Sequence, residues 1–211
     1  MNSDRIYSVL TPMMRRLVKD RMGASRRRHF EVIPVPKGRV LFLGDSITEG
    51  GLWSDLFPDL PTTNRGIGGE ATYDLLERVD ATINDPVAVS LMVGTNDLHG
   101  PREHRDAAQI VDRADEIVRR IRAAAPDALL LLNSVLPRTE HFAAQIRAVN
   151  VGYRQVAERH GAEYVDLWPA FADDSGAVKP GLTRDNLHLT PSGYLVWADV
   201  LRPYLEPLAG G

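Results

Sequence analysis

The chain has no cysteine among its 211 residues, so disulfide bridges, thiolate metal sites and a redox-dependent fold are excluded. Long apolar runs are also missing: none approaches the roughly 18 residues that suggest a membrane span. Arg15, Arg16, Lys19 and Asp20 interrupt the N-terminus, which therefore lacks the apolar core of a secretory leader. A cytoplasmic location is expected. Positive charge is scarce outside one segment. Residues 1–30 hold eight Arg and Lys against two acids, whereas the rest of the chain carries 17 basic and 26 acidic residues. A basic segment on an acidic body argues against a nucleic-acid partner.

What remains is ordinary for a globular protein with a full core, at 44% apolar and 25% charged residues. Ile6, Val9, Leu10, Met13, Met14, Leu17, Val18 and Met22 recur near helical spacing, with basic residues on much of the other face. An amphipathic helix over 5–22 is expected, packed on the body or on a second subunit as a homodimer contact. Peripheral contact with an anionic membrane, or a cover over an acyl-chain site, is the alternative. Arg26-Arg27-Arg28-His29 reads as a solvated connector. The expected organisation is a basic helical extension over 1–36 and one domain over 37–211.

From Arg39 onward strands and helices alternate. Val40–Leu43 is the first strand; a short second ends near Asn64; Val87–Val93, Ala128–Val135 and Tyr164–Leu167 follow. Continuous apolar runs of this kind suit parallel strands covered on both faces. Helices are expected at Thr72–Asp80, Glu103–Ala125, His141–His160 and Tyr194–Tyr204, with Gly161 stopping the third. Thr190-Pro191 supplies an N-cap and an N1 proline for the last. The pattern implies a three-layer α/β/α sandwich with right-handed crossovers and ligands at the carboxyl ends of the strands.

The chemistry-bearing residues all follow strands. Gly44-Asp45-Ser46 comes after the first, Gly66-Ile67-Gly68-Gly69 after the second, Gly94-Thr95-Asn96-Asp97 after the third and Pro137-Arg138 after the fourth; Asp185-Asn186-Leu187-His188 follows the fifth. A serine needs a base to act as a nucleophile near neutral pH. His188 is the candidate, with Asp185 fixing its tautomer. The amides of Ser46 and Gly69 and the side chain of Asn96 are candidate oxyanion donors. Each segment alone reads as a turn or cap, but their order and topology together point to one site. The residue two beyond Ser46 is Thr48, which sets the chain apart from the Gly-x-Ser-x-Gly elbow.

These four blocks resemble those of the SGNH/GDSL hydrolases, and most resemble the branch of the platelet-activating-factor acetylhydrolase catalytic subunits and related bacterial esterases. The likeness covers about residues 38–205. It implies a flavodoxin-like fold with five parallel strands in the order 2-1-3-4-5. It also implies Ser46 as nucleophile, His188 as base, Asp185 as its partner, and an oxyanion hole of Ser46, Gly69 and Asn96.

The expected reaction is hydrolysis of a small-molecule carboxylic ester through an acyl-Ser46 intermediate, with no metal and no cofactor. Only 17 residues separate Gly51 from Gly69, which leaves little room for a lid and favours short acyl groups such as acetyl. Trp53, Trp168 and Arg138 are candidate substrate contacts, and Glu49 and His99 lie near the expected site edge. An acyltransferase using the same acyl-enzyme, or a non-catalytic binding subunit, is the rival reading.

Overall fold

The computed structural model describes residues 23–101 and 104–210, so the expected helix over 5–22 lies outside the described residues. Its sheet comprises β1 (Val40–Gly44), β2 (Thr62–Gly66), β3 (Ala88–Met92), β4 (Leu129–Asn133) and β5 (Glu163–Val165). All four pairings are parallel and the order is 2-1-3-4-5. The helices are α1 (Ala24–Val32), α2 (Ser46–Glu49), α3 (Trp53–Leu56), α4 (Thr72–Leu76), α5 (Val79–Thr82), α6 (Ala107–Ala124), α7 (Ala143–Arg159), α8 (Trp168–Phe171) and α9 (Pro191–Leu205). None among the described residues is long and apolar enough to cross a membrane.

Side chains of β1 divide between two cores with the two-residue period of a strand. Leu41 and Leu43 join Ile110, Ile117 and Ile121 of α6 and Ile146, Tyr153 and Val156 of α7. Val40 and Phe42 join Trp53, Phe57 and the α9 residues Trp197 and Leu201. Two buried faces explain why β1, β3 and β4 are apolar without alternation. Across the second core Trp197 Nε1 donates to Asn133 Oδ1 at 3.0 Å, while Asn133 Nδ2 donates to Ser90 Oγ at 2.9 Å. This buried polar chain ties α9 to β4 and β3.

Helix ends follow local chemistry. Asp106 accepts from Ala108 N at 2.9 Å and so starts α6 at Ala107, later than the expected Glu103. Thr190 accepts from Gly193 N at 3.2 Å, with Pro191 at N1 of α9. The helix expected over Thr72–Asp80 is divided into α4 and α5. Arg78 leaves the helical path at the break, and its guanidinium turns inward to the buried Glu70, at 2.6 Å.

A second difference concerns Arg26-Arg27-Arg28-His29, which is helical rather than a solvated connector. Arg26 Nε donates to Gly66 O at 2.6 Å and Arg27 pairs with Glu70 at 2.7 Å. The ring of Phe30 lies beneath Arg26 and Arg65, at 5.0 and 4.2 Å. Helix α1 thereby covers the polar edge strand β2, whose exposed backbone would otherwise be open to pairing.

Trp53 also departs from expectation, because it is 2% exposed and lies in the core instead of lining a pocket. Its ring stacks on Phe42 at 3.9 Å and meets Trp197 edge-on at 4.7 Å. Its Nε1 donates to Thr48 O at 2.9 Å. Trp53→Ala is expected to lower stability by about 3–5 kcal/mol, the usual cost of deleting a large buried aromatic. Urea unfolding of the two proteins measures the difference.

Candidate active site

The turn that carries Ser46 is built where β1 ends. Asp45 caps α2 by accepting from Ile47 N at 2.9 Å, which places Ser46 at the first helical position. The far end of this one-turn helix has unpaired carbonyls to satisfy. Asn64 Nδ2 reaches two of them, Thr48 O and Glu49 O at 3.0 Å, and Gly51 O just beyond the helix at 3.2 Å. From the opposite side Tyr194 on α9 donates its hydroxyl to Ile47 O at 2.8 Å.

His188 arrives on a tight loop closed by the bridge between Thr183 and Leu189. Asn186 takes a φ of +59°, a conformation Asn tolerates better than most residues, and so turns the chain between the acid and the histidine. Asp185 Oδ1 accepts from the amides of Leu187 and His188 at 3.2 and 2.7 Å. Asp185 Oδ2 meets His188 Nδ1 at 2.7 Å, and His188 Nε2 lies 3.1 Å from Ser46 Oγ. Partial burial opposes ionisation of Asp185, but hydrogen bonds from the His188 side chain and amide outweigh it and hold the carboxyl below its ordinary range.

The third component is the turn after β2. Glu70 N donates to Ile67 O at 3.3 Å, and Gly69 sits at a φ of +79°. A Cβ on Gly68 would lie 3.8 Å from Ser46 Cβ, so the turn passes directly against the serine. Gly68 N is committed to Glu49 Oε2 at 2.6 Å. The amides of Ser46 and Gly69 make no hydrogen bond among the described residues. Asn96 Nδ2 donates one proton to Glu70 O at 2.9 Å, leaving its second N–H for another acceptor.

Two buried carboxylates hold these parts together: Asp97, which the sequence offered only as part of a turn, and Glu70, which it did not single out. Asp97 accepts from Thr72 N at 3.0 Å, Thr72 Oγ1 at 2.5 Å and Arg113 Nη2 at 3.2 Å. It ties the β3 loop to the start of α4. Glu70 pairs with Arg27 and Arg78, and Arg78 also donates to Gly44 O and Arg65 O, at 3.3 and 3.0 Å. An acid immediately after Gly69 inside a glycine-rich turn was the available signal for Glu70.

The remaining candidates lie around this centre. Arg138 is buried after β4, beside His99 and over the Phe142 ring at 4.9 Å. Trp168 lies beneath Arg147 at 5.2 Å, half-buried against the core on the α7 side. Among the described residues no three His, Asp or Glu side chains form a group able to hold a metal ion.

With this geometry in place, residues 42–196 match the GDSL-like lipase/acylhydrolase family. The chain belongs to that family. It is an enzyme of the GDSL esterase and acylhydrolase class. The alpha1 subunit of platelet-activating factor acetylhydrolase IB from Bos taurus is 31% identical over 166 residues, spanning 74% of this chain and 69% of that one. The Homo sapiens subunit is also 31% identical, spanning 74% and 70%. A Streptococcus pneumonia structure described as a platelet activating factor aligns with a TM-score of 0.78 and 26% identity, covering 97% of this GDSL-family chain and all of the other. A carbohydrate esterase family 3 structure from Talaromyces cellulolyticus shares the fold, with a TM-score of 0.66 and 22% identity over 82% and 98% of the two chains.

Burial pushes Asp45, the residue before Ser46, up to about 7; the Ile47 amide opposes this, and the charges of Asp97 and Glu70 add to it. The folded state therefore favours the protonated acid, and the stability it contributes is complete below about pH 4 and lost as pH rises through 7. Asp45→Asn keeps an acceptor for Ile47 N and removes this dependence. Between pH 4 and 7 the parent is expected to lose stability relative to the variant, on the order of 4 kcal/mol, by paired urea titrations.

Proposed function

We propose that the protein is a serine esterase that cleaves short-chain carboxylic esters through a covalent acyl-Ser46 intermediate. The observation that carries this reading is the continuous relay from Asp185 to His188 to Ser46, with contacts of 2.7 and 3.1 Å. His188 Nε2 takes the proton of Ser46 Oγ as the oxygen attacks the ester carbonyl. The tetrahedral oxyanion is received by the amides of Ser46 and Gly69 and the free N–H of Asn96. As the intermediate collapses, His188 returns the proton to the departing alcohol. A water then loses its proton to His188, attacks the acyl carbon and releases the carboxylic acid together with the Ser46 hydroxyl. Asp185, held below the ordinary carboxylate range, is ionised throughout and balances the imidazolium.

A preference for acetyl-sized groups is supported by the short path from Gly51 to Gly69 and by Gly68 lying close against Ser46. The printed name of the bovine and human relatives, an acetylhydrolase, agrees with that size. Burst kinetics with p-nitrophenyl acetate test the mechanism. Ser46→Ala is expected to lose both the burst and steady turnover, while unchanged turnover in folded variant rejects the nucleophile. Asn96→Ala should lower kcat by about 10²–10³-fold, the usual effect of removing one oxyanion donor. Across acetyl, butyryl and octanoyl esters kcat/KM should fall with length; a rise toward octanoyl removes the short-chain assignment.

A further inference from the structure

The acid that follows Gly69 links two of the three candidate oxyanion donors, Gly69 and Asn96, to a helix outside the family match. Glu70 is the residue after Gly69, its backbone carbonyl accepts from Asn96 Nδ2 at 2.9 Å, and its side chain is 1% exposed. One residue thereby fixes the positions of an amide and of a side-chain donor. Its carboxylate is held from two directions. Arg78 binds Oε2 at 2.6 Å while also engaging the ends of β1 and β2, and Arg27 of α1 binds Oε1 at 2.7 Å. The same helix reaches Glu49 at the end of α2, which binds the turn. Arg26 Nε lies 3.6 Å from Glu49 Oε1, and Glu49 Oε2 accepts from Gly68 N.

A cavity of about 280 Å³ beside these ion pairs is lined by Gly23, Ala24, Arg27, Ile67, Gly68 and Glu70. On this side charge-assisted hydrogen bonds from Arg26 and Arg27 reach the turn. Arg27 lies within α1, whereas the family match begins at residue 42.

We infer that Arg27 is a positioning residue for the oxyanion hole, acting through Glu70 on Gly69 and Asn96. This rests on the esterase reading above. With Arg27 neutralised, Glu70 keeps Arg78 but loses the restraint on its other oxygen, so the Gly69 amide and the Asn96 donor move away from the position the oxyanion will take. Such displacement weakens transition-state binding more than substrate binding. A purely structural role would lower stability and leave the two in proportion.

The test compares Arg27→Met, Arg27→Lys and Glu77→Gln in the full chain, the last removing only the exposed partner of Arg27, at 3.4 Å. Arg27→Met is expected to lower kcat for p-nitrophenyl acetate about tenfold with KM changed less than twofold. It should weaken inhibition by a trifluoromethyl ketone, whose hemiketal oxyanion occupies the hole, by a similar factor. Arg27→Lys should restore most of both losses, and Glu77→Gln should change neither. Where Arg27→Met lacks a cooperative thermal transition, Arg27→Gln supplies the same comparison. Unchanged kcat and inhibition in a folded Arg27 variant overturns the inference, as does a rise in KM with kcat preserved. Ser46→Ala is assayed alongside: if it remains active, the esterase reading and this inference fall together; if it is inactive and Arg27→Met is normal, only the inference falls.

Discussion

At the carboxyl ends of the central strands, backbones approach one another more closely than a side chain permits. A Cβ on Gly44 would lie 2.1 Å from Met92 O, and one on Gly66 would lie 2.2 Å from Glu49 N. These contacts set the end of β1 against β3 and the end of α2 against β2. The serine turn, the turn after β2 and the loop after β3 then occupy one edge of the sheet. Every other feature of the site presupposes that approach: Asn64 reaches the α2 carbonyls, and Arg78 reaches both Gly44 O and Arg65 O, because these ends are adjacent. Glycine serves here by the room it leaves rather than by unusual dihedral angles.

The strands were legible because burial on both faces leaves a continuous apolar record, as in Val40–Leu43. Their ends differ by a residue or two, since hydrogen bonding and not hydrophobicity decides where pairing stops. The segment Thr72–Asp80 shows a different limit. Its local pattern is helical throughout, but the buried Glu70 draws Arg78 out of the helix, and that partner is set by tertiary structure. Arg26-Arg27-Arg28-His29 misleads for the same reason: a basic run ordinarily solvates itself, and here Glu49 of α2 and Glu70 of the β2 turn receive Arg26 and Arg27.

At the site, Ser46, Asp185 and His188 were readable because their chemistry is distinctive and they share one edge of the fold. Their supports were not. Asp97 and Glu70 look like ordinary surface acids until Thr72, Arg113, Arg27 and Arg78 are seen around them. Trp53 failed in the opposite sense, since proximity in sequence to Ser46 suggested a rim position while its ring completes the stack with Phe42 beneath the turn. Amphipathic aromatic rings serve either purpose, and the choice depends on which face of the sheet the chain has just crossed.

The loop carrying Asp185, Asn186 and His188 has one further consequence. Its acid accepts from the backbone amides of its own loop, so the orientation of the imidazole is determined within four consecutive residues and owes little to the sheet. The Asp185–His188 pair and the Ser46 turn are thus each built from local hydrogen bonds, and the Tyr194 hydroxyl on Ile47 O ties the helix that follows His188 to the turn that carries Ser46.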